Sequence, residues 1–381
     1  MAMHSKLTGH PSTRRSVLAG AGVITAGGVV ASRFPAAVSA QDATPSGQAT
    51  PMLSGGVEVD PQMQSILDAL TGFEAPPIEA VSPQIARNLP SAATATIQVL
   101  SDQGEPAYEA VGDISHILIP GLAGDIVARV YAPLEPEEDI LPVAVYFHGG
   151  GFVIANLDTY DSSCRAIANA AGCLVVSIAY RQAPEAPYPA AVDDAYAATQ
   201  YIIANAGLIN GDPERVAVVG ESAGGNLAAV VSILARDQGG SAPIHQVLVY
   251  PVATFAPEGD QTQSITQFSD AVPLNAATLE WFGSYYLTDP SIATSDPYVS
   301  PAIADLTGLP PATVILAEID PLHDQGEIFA QQLTDAGVET TVTTYAGVTH
   351  EFFGTGAVVD KAVEAVAEAA AALRSAFGTG G

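Results

Sequence analysis

Gly220-Glu221-Ser222-Ala223-Gly224-Gly225 follows the apolar run Val216 to Val219 and leads into an Ala-rich stretch, so a serine stands where a buried strand turns sharply into a helix. Glycines two before and two after that serine admit a strained turn that a Cβ would block, and the hydroxyl is left exposed at a helix N-terminus. This placement suits an acyl-transfer nucleophile. Gly-x-Ser-x-Gly alone is weak, because Gly and Ser are common in turns, but a second segment gives it context. Upstream, Leu141 to Phe147 forms another strand-like run that ends in His148-Gly149-Gly150-Gly151-Phe152. Three consecutive glycines after a strand expose backbone N–H groups with no side chains in the way, which suits them to hold a developing oxyanion.

A serine nucleophile also needs a base, and an acid that orients the base. After an elbow of this kind they follow in the chain as acid, then histidine. Of the seven histidines, His4 and His10 lie in the amino-terminal leader, His116 precedes the elbow, His148 belongs to the glycine loop and His245 leads into a strand-like run. His323 begins a helical pattern, where a solvated or helix-end histidine is the simpler reading. His350 instead follows the strand-like Thr340 to Tyr345 and the short loop Ala346 to Thr349, the position expected of the base. For the acid, Thr313 to Ala317 is followed by Glu318-Ile319-Asp320-Pro321-Leu322. Asp320 lies in the loop beyond the strand and is favoured over Glu318, which is still at the strand end. Asp324 is explained by the dipole of the following helix alone.

The elements that must position these residues are legible. Val143 to Phe147, Leu174 to Ile178, Val216 to Val219, Val247 to Tyr250 and Thr313 to Ala317 are short, continuous and rich in β-branched residues, as parallel strands buried on both faces should be. Helical patterns lie between them at 163–171, 190–204, 227–235 and 323–336. Val359, Val363, Val366, Ala370, Leu373 and Phe377 recur every three or four residues and predict one apolar stripe on a closing helix. This alternation predicts an α/β fold with a mostly parallel sheet. Ile114 to Ile119 and Ile126 to Tyr131 read as an antiparallel edge pair joined at Pro120-Gly121. Asp60-Pro61 predicts a helix start running through Leu70, and Ser82-Pro83 predicts another. Ala253 to Asp305 interrupts the alternation and contains Leu279, Trp281, Phe282, Tyr285 and Tyr286.

Several segments together resemble the hormone-sensitive lipase family of α/β-hydrolase esterases, the bacterial family IV. They are His148 to Phe152, Tyr180 to Glu185 with Pro189-Ala190-Ala191, Gly220 to Gly225, Asp296 to Pro301 with Leu309-Pro310-Pro311, and Asp320-Pro321-Leu322. The resemblance runs from about Val57 to Phe377. It implies an α/β-hydrolase fold, a mostly parallel sheet flanked by helices, with a helical cap from about 57–110 and 253–305. It also implies Ser222 as nucleophile, His350 as general base and Asp320 as its partner. The amides of Gly150, Gly151 and Ala223 would form the oxyanion hole, and His148 would orient the glycine loop. Three departures stand out: Gln182 where Leu is usual, Glu221 where Asp is commoner, and Glu351 where a small residue usually follows the base. A carboxylate beside the ring of His350 would raise its pKa.

The amino end reads as separate from the fold. Arg14-Arg15 precedes an uncharged run of 17 residues, four of them Gly, and the small residues Val38-Ser39-Ala40 follow. This pattern describes a twin-arginine export signal over 1–40, too weakly apolar for a stable membrane anchor. Residues 41–56, rich in Pro, Ser, Thr, Gly and Ala, read as a disordered linker, and 57–377 as the hydrolase domain. The net charge of −29, from 41 acids against 12 bases, disfavours nucleic acid and anionic membranes as partners. Cys164 and Cys173 are read as two buried thiols rather than a bridge. Metal-ligand spacings, phosphate loops and dinucleotide fingerprints are not recognised, so no cofactor or metal is expected. The expected protein is an exported serine carboxylesterase acting on small-molecule esters of short to medium acyl length. The alternatives are an amide, lactone or carbamate hydrolase with the same triad, or a non-catalytic receptor on the same scaffold, against which the retained His350 argues.

Overall fold

The computed structural model describes residues 53–256 and 262–379. The export signal expected over 1–40 and most of the linker expected over 41–56 lie outside the described residues. The last residues assigned to that linker do have structure: β1 (Leu53–Ser54) pairs antiparallel with β2 (Val57–Glu58). Gly55 and Gly56, at φ +55 and +85, supply the left-handed turn between them.

Eight strands form the central sheet: β3 (Asp113–Gly121), β4 (Gly124–Ala132), β5 (Leu141–Phe147), β6 (Leu174–Ile178), β7 (Gly211–Glu221), β8 (Gln246–Val249), β9 (Ala312–Ile319) and β10 (Thr340–Thr349). Their order across the sheet is β10-β9-β8-β7-β5-β6-β4-β3, parallel from β10 through β6 and antiparallel at β6/β4 and β4/β3. The continuous apolar runs have a direct cause. On β5, Val143, Val145 and Phe147 enter the core on one face while Ala144 and Tyr146 enter the core on the other. The first core is closed by α5 (Ala190–Asn205), α6 (Ala223–Gln238) and α9 (His323–Asp335), the second by α1 (Pro61–Gly72), α4 (Asp161–Ala171) and α10 (Asp360–Phe377). A Leu→Ala change at a site such as Leu373, fully buried on α10, should cost about 2–5 kcal/mol.

Local signals explain most boundaries. Asp60 caps α1 through its side chain, which accepts from the Gln62 and Met63 amides, and Pro61 holds the first helical position. The helix expected at Ser82-Pro83 is a single turn, α2 (Pro83–Ala86). A longer helix with no counterpart in the sequence reading, α3 (Ala92–Gln103), begins with a reciprocal cap between Ser91 and Thr94. Between β3 and β4 the ladder runs to the Gly121/Gly124 pair, so the turn is Leu122-Ala123 rather than Pro120-Gly121. On α10, Val363 is 52% exposed and does not belong to the apolar stripe; Ala362, Ala365 and Ala369 do. The stretch after β8 carries α7 (Gln263–Gln267) and α8 (Ala276–Tyr286), and α8 lies over the carboxyl ends of the strands through Phe282 and Tyr286. Both cysteines are buried free thiols.

Candidate active site

Four strand ends supply the site, on the side where open α/β sheets place their ligand crevice. Ser222 joins β7 to α6 with φ +56 and ψ −118. The turn is that tight because Gly224 lies against β5: a Cβ on Gly224 would stand 1.9 Å from the Phe147 carbonyl oxygen. Asn226, one turn into α6, donates to the Val252 and Val299 carbonyls at 2.8 and 3.0 Å and pins the helix start to the loops that carry the cap.

The Ser222 hydroxyl lies 2.9 Å from His350 Nε2, and His350 Nδ1 lies 2.6 Å from Asp320 Oδ2. Asp320, at 0% exposure, directly follows β9, and His350, at 3%, directly follows β10. The second carboxylate oxygen of Asp320 accepts from the Leu322 amide at 2.8 Å, which fixes its rotamer. With Nδ1–H donated to Asp320, Nε2 is left as an acceptor for the Ser222 hydroxyl. Burial opposes the imidazolium, but the Asp320 carboxylate, joined by Glu351 and Glu221, outweighs it and holds His350 above its ordinary value. The rival acids point elsewhere. Glu318 accepts from the Gly347 amide at 2.7 Å, and Asp324 bonds the Ser264 amide and His323.

The glycine loop follows β5. Gly150 and Gly151 have φ +97 and +59, and a Cβ on Gly151 would stand 2.2 Å from the Phe282 ring of α8. Neither amide, nor that of Ala223, is donated to an acceptor among the described residues. These three N–H groups are therefore free to receive an anionic oxygen beside Ser222. His148 stacks on Tyr180 with ring centroids 4.4 Å apart, and its Nδ1 bonds the Gly149 carbonyl at 2.8 Å. Burial pushes the His148 imidazole down to about 4, so it stays neutral and structural. Gln182, one of the departures, donates to the Ile154 and Ala155 carbonyls at 2.6 and 3.1 Å and braces the same loop. Arg87 of the cap does likewise, bonding the Val153 and Ala183 carbonyls and Glu185.

The other two departures are acids, Glu221 buried and Glu351 part-buried. Glu221 accepts from the hydroxyls of Tyr146 and Tyr250, and burial raises its carboxyl to about 7. Glu351 accepts from the Tyr160 hydroxyl at 2.5 Å, and burial raises it as well. The tyrosines in these contacts carry no sequence signal of their own, since an aromatic that buries for area looks the same. Ser222, His350, Gly150, Gly151 and Phe282 open on a cavity of about 910 Å³, walled on the far side by the cap. His323, Asp324 and Glu327 lie within 4.8 Å of one another on α9, outside this cavity, and Asp324 is already engaged.

The profile of the α/β-hydrolase-fold family matches residues 144–354. Carboxylesterase NlhH of Mycobacterium tuberculosis is 43% identical over 258 residues, 66% of this chain and 79% of that protein. Ethyl acetate hydrolase of Pseudomonas putida is 36% identical over 249 residues, 65% of this chain and 77% of that protein. Among solved structures, the hyperthermophilic esterase of the archaeon Pyrobaculum calidifontis superposes with a TM-score of 0.74 at 39% identity, covering 83% of this chain and 98% of that one. With that profile over its central residues, and esterases similar to it in sequence and in fold, the chain belongs to the hormone-sensitive lipase type of the α/β-hydrolase family as a carboxylic ester hydrolase.

Proposed function

We propose that Ser222, His350 and Asp320 act as a catalytic triad on small-molecule esters of short to medium acyl length. One observation carries the reading: the unbroken chain from Ser222 Oγ to His350 Nε2 at 2.9 Å and from His350 Nδ1 to Asp320 at 2.6 Å, opening on the cavity of about 910 Å³. His350 Nε2 takes the hydroxyl proton as Oγ bonds the ester carbonyl carbon. The carbonyl electrons move to an oxyanion received by the amides of Gly150, Gly151 and Ala223. Collapse breaks the bond to the alkoxy oxygen, which leaves as the alcohol with the proton from His350. Water then repeats the sequence on the acyl-enzyme and releases the acid. A cavity of about 910 Å³ has room for a small ester on both sides of the carbonyl, and the similar Pseudomonas putida protein is named for a two-carbon acyl ester.

Ser222→Ala should abolish ester hydrolysis and phosphonate labelling while leaving the circular dichroism spectrum unchanged, because the hydroxyl contributes no core packing. Near-native turnover in that variant would remove Ser222 from the mechanism. We also propose that the protein is exported through the twin-arginine route, a reading supported by Arg14-Arg15 and the weakly apolar run behind it. Changing both arginines to lysine should retain precursor inside the cell; unaltered export would point to another route.

A further inference from the structure

The cavity wall beside Ser222 and His350 bears a carboxylate that the proposed triad does not use. Glu351 follows His350 with φ +69 and lines the cavity. Its Oε1 accepts from the Tyr160 hydroxyl at 2.5 Å, and its Oε2 accepts no hydrogen bond from any described residue. Tyr160 in turn lies against the oxyanion loop, where a Cβ on Gly149 would stand 2.2 Å from its hydroxyl oxygen. The carboxylate is therefore held in place by the ring that supports the loop, close to where an ester carbonyl must sit. Charge around it is not balanced. Glu74, Glu79 and Asp158 also border the cavity, and Arg87 is the one Lys or Arg among its lining residues. The Arg87 guanidinium is committed to Glu185 and two carbonyl oxygens, while Asp158 is paired with Arg129.

We propose that Glu351 is a specificity-determining residue whose carboxylate selects esters bearing a positive charge, a protonated amine or quaternary ammonium, near the scissile carbonyl. The same group disfavours esters that carry a carboxylate there. This inference rests on the reading of Ser222 and His350 given above. Its physical basis is that a charge pair on a part-buried cavity wall is screened less than one at the open surface. The excess of acids over the whole chain adds attraction at longer range. His350, Tyr160, Asp320 and Glu221 face Glu351, and the net effect of burial and these neighbours raises its carboxyl above the usual range. Its charge, and with it the preference, therefore grows as pH rises.

The test compares kcat/KM for three acetate esters of matched size whose alcohols end in a trimethylammonium, a tert-butyl or a carboxylate group. At pH 8 the ammonium ester should exceed its tert-butyl isostere by at least about tenfold, roughly 1.4 kcal/mol, with the carboxylate ester slowest. In Glu351→Gln the ammonium to tert-butyl ratio should fall to near unity. The ratio cancels any general loss of turnover in the variant, since both esters use the same serine and base. As a check that needs no variant, tetramethylammonium should inhibit the native enzyme at lower concentration than neopentyl alcohol. A native ratio near one, or a preference that survives in Glu351→Gln, overturns the inference while leaving the esterase reading intact. Failure to hydrolyse any of the three esters, with Ser222→Ala indistinguishable from the native protein, overturns both.

Discussion

Asp320→Asn tests how the site is wired. In the native protein Asp320 Oδ2 receives the Nδ1 proton of His350 across 2.6 Å, while Oδ1 receives the Leu322 amide across 2.8 Å. Both oxygens are therefore in use. An asparagine keeps only one acceptor, and the Leu322 amide, fixed in the backbone, claims it. The new NH₂ then faces His350, and the imidazole must turn to the tautomer with its proton on Nε2. That tautomer cannot take the proton of Ser222. In triads of this kind the change lowers turnover by about 10⁴, equivalent to about 5.5 kcal/mol of transition-state stabilisation. Glu318→Gln and Asp324→Asn should stay within about tenfold, because those acids bond Gly347 and Ser264 instead. The pH dependence adds a second readout. Burial lowers the imidazole and the Asp320 carboxylate more than offsets it, so removing the charge must move the acid limb of kcat/KM to lower pH. Initial rates on a p-nitrophenyl ester between pH 5 and 9, with circular dichroism to monitor folding, measure both. A collapse confined to Asp324→Asn, or an Asp320→Asn enzyme within tenfold of native with an unmoved acid limb, refutes the reasoning.

Gly151→Ala should lower kcat by about 10²–10³, the effect of losing an oxyanion donor, because the new Cβ would meet the Phe282 ring at 2.2 Å and the loop must shift. Adding Phe282→Ala should recover part of the loss; a double variant no better than the single one would mean that φ +59 alone, not the ring, makes alanine intolerable. Glu221 predicts a pH-dependent stability. Its carboxyl stands at about 7 in the folded chain against an ordinary 4.5, so its neutral form is the one the fold prefers. The contribution is complete below about pH 4.5 and is lost as pH rises through 7, on the order of 3 kcal/mol in all. Urea unfolding of native protein and Glu221→Gln at pH 5 and pH 8 should show the native protein losing more across that interval, and parallel losses would remove the buried carboxylate from the account.

How far the sequence can be read depends on whether a residue's environment is set by its neighbours in the chain. On β5 and β7 both faces are buried, so the runs Val143 to Phe147 and Val216 to Val219 are continuous and legible. β10 is different. Its ladder slips between Tyr345 and Thr349 and resumes at the pairing of Thr349 with Ile319, so the residues read as a loop continue the strand up to His350. Nothing in Ala346-Gly347-Val348 announces that, because the partner that holds it is on β9. α3 carries little local signal for a related reason. Its N3 residue is Thr94 rather than an acid or Gln, and its polar and apolar residues are weakly segregated. Val363 has the spacing of a core residue, yet the helix turns it outward, where 52% of it remains accessible.

The order of residues along the chain fixes which chemistry is available: a serine between glycines, three glycines after a strand, and a histidine and an aspartate in the right order. Those are properties of residue type and short spacing, and local sterics enforce them. The packing of distant strands is what brings His350 within 2.9 Å of a serine 128 positions earlier and sets Asp320, rather than Glu318 or Asp324, against its ring. The same packing places Glu221 in the core and Glu351 part-buried at the cavity wall, both accepting from tyrosine hydroxyls. Distance, desolvation and the field of neighbouring charges depend on how separate strands and helices pack, and no local stretch of the chain encodes that packing.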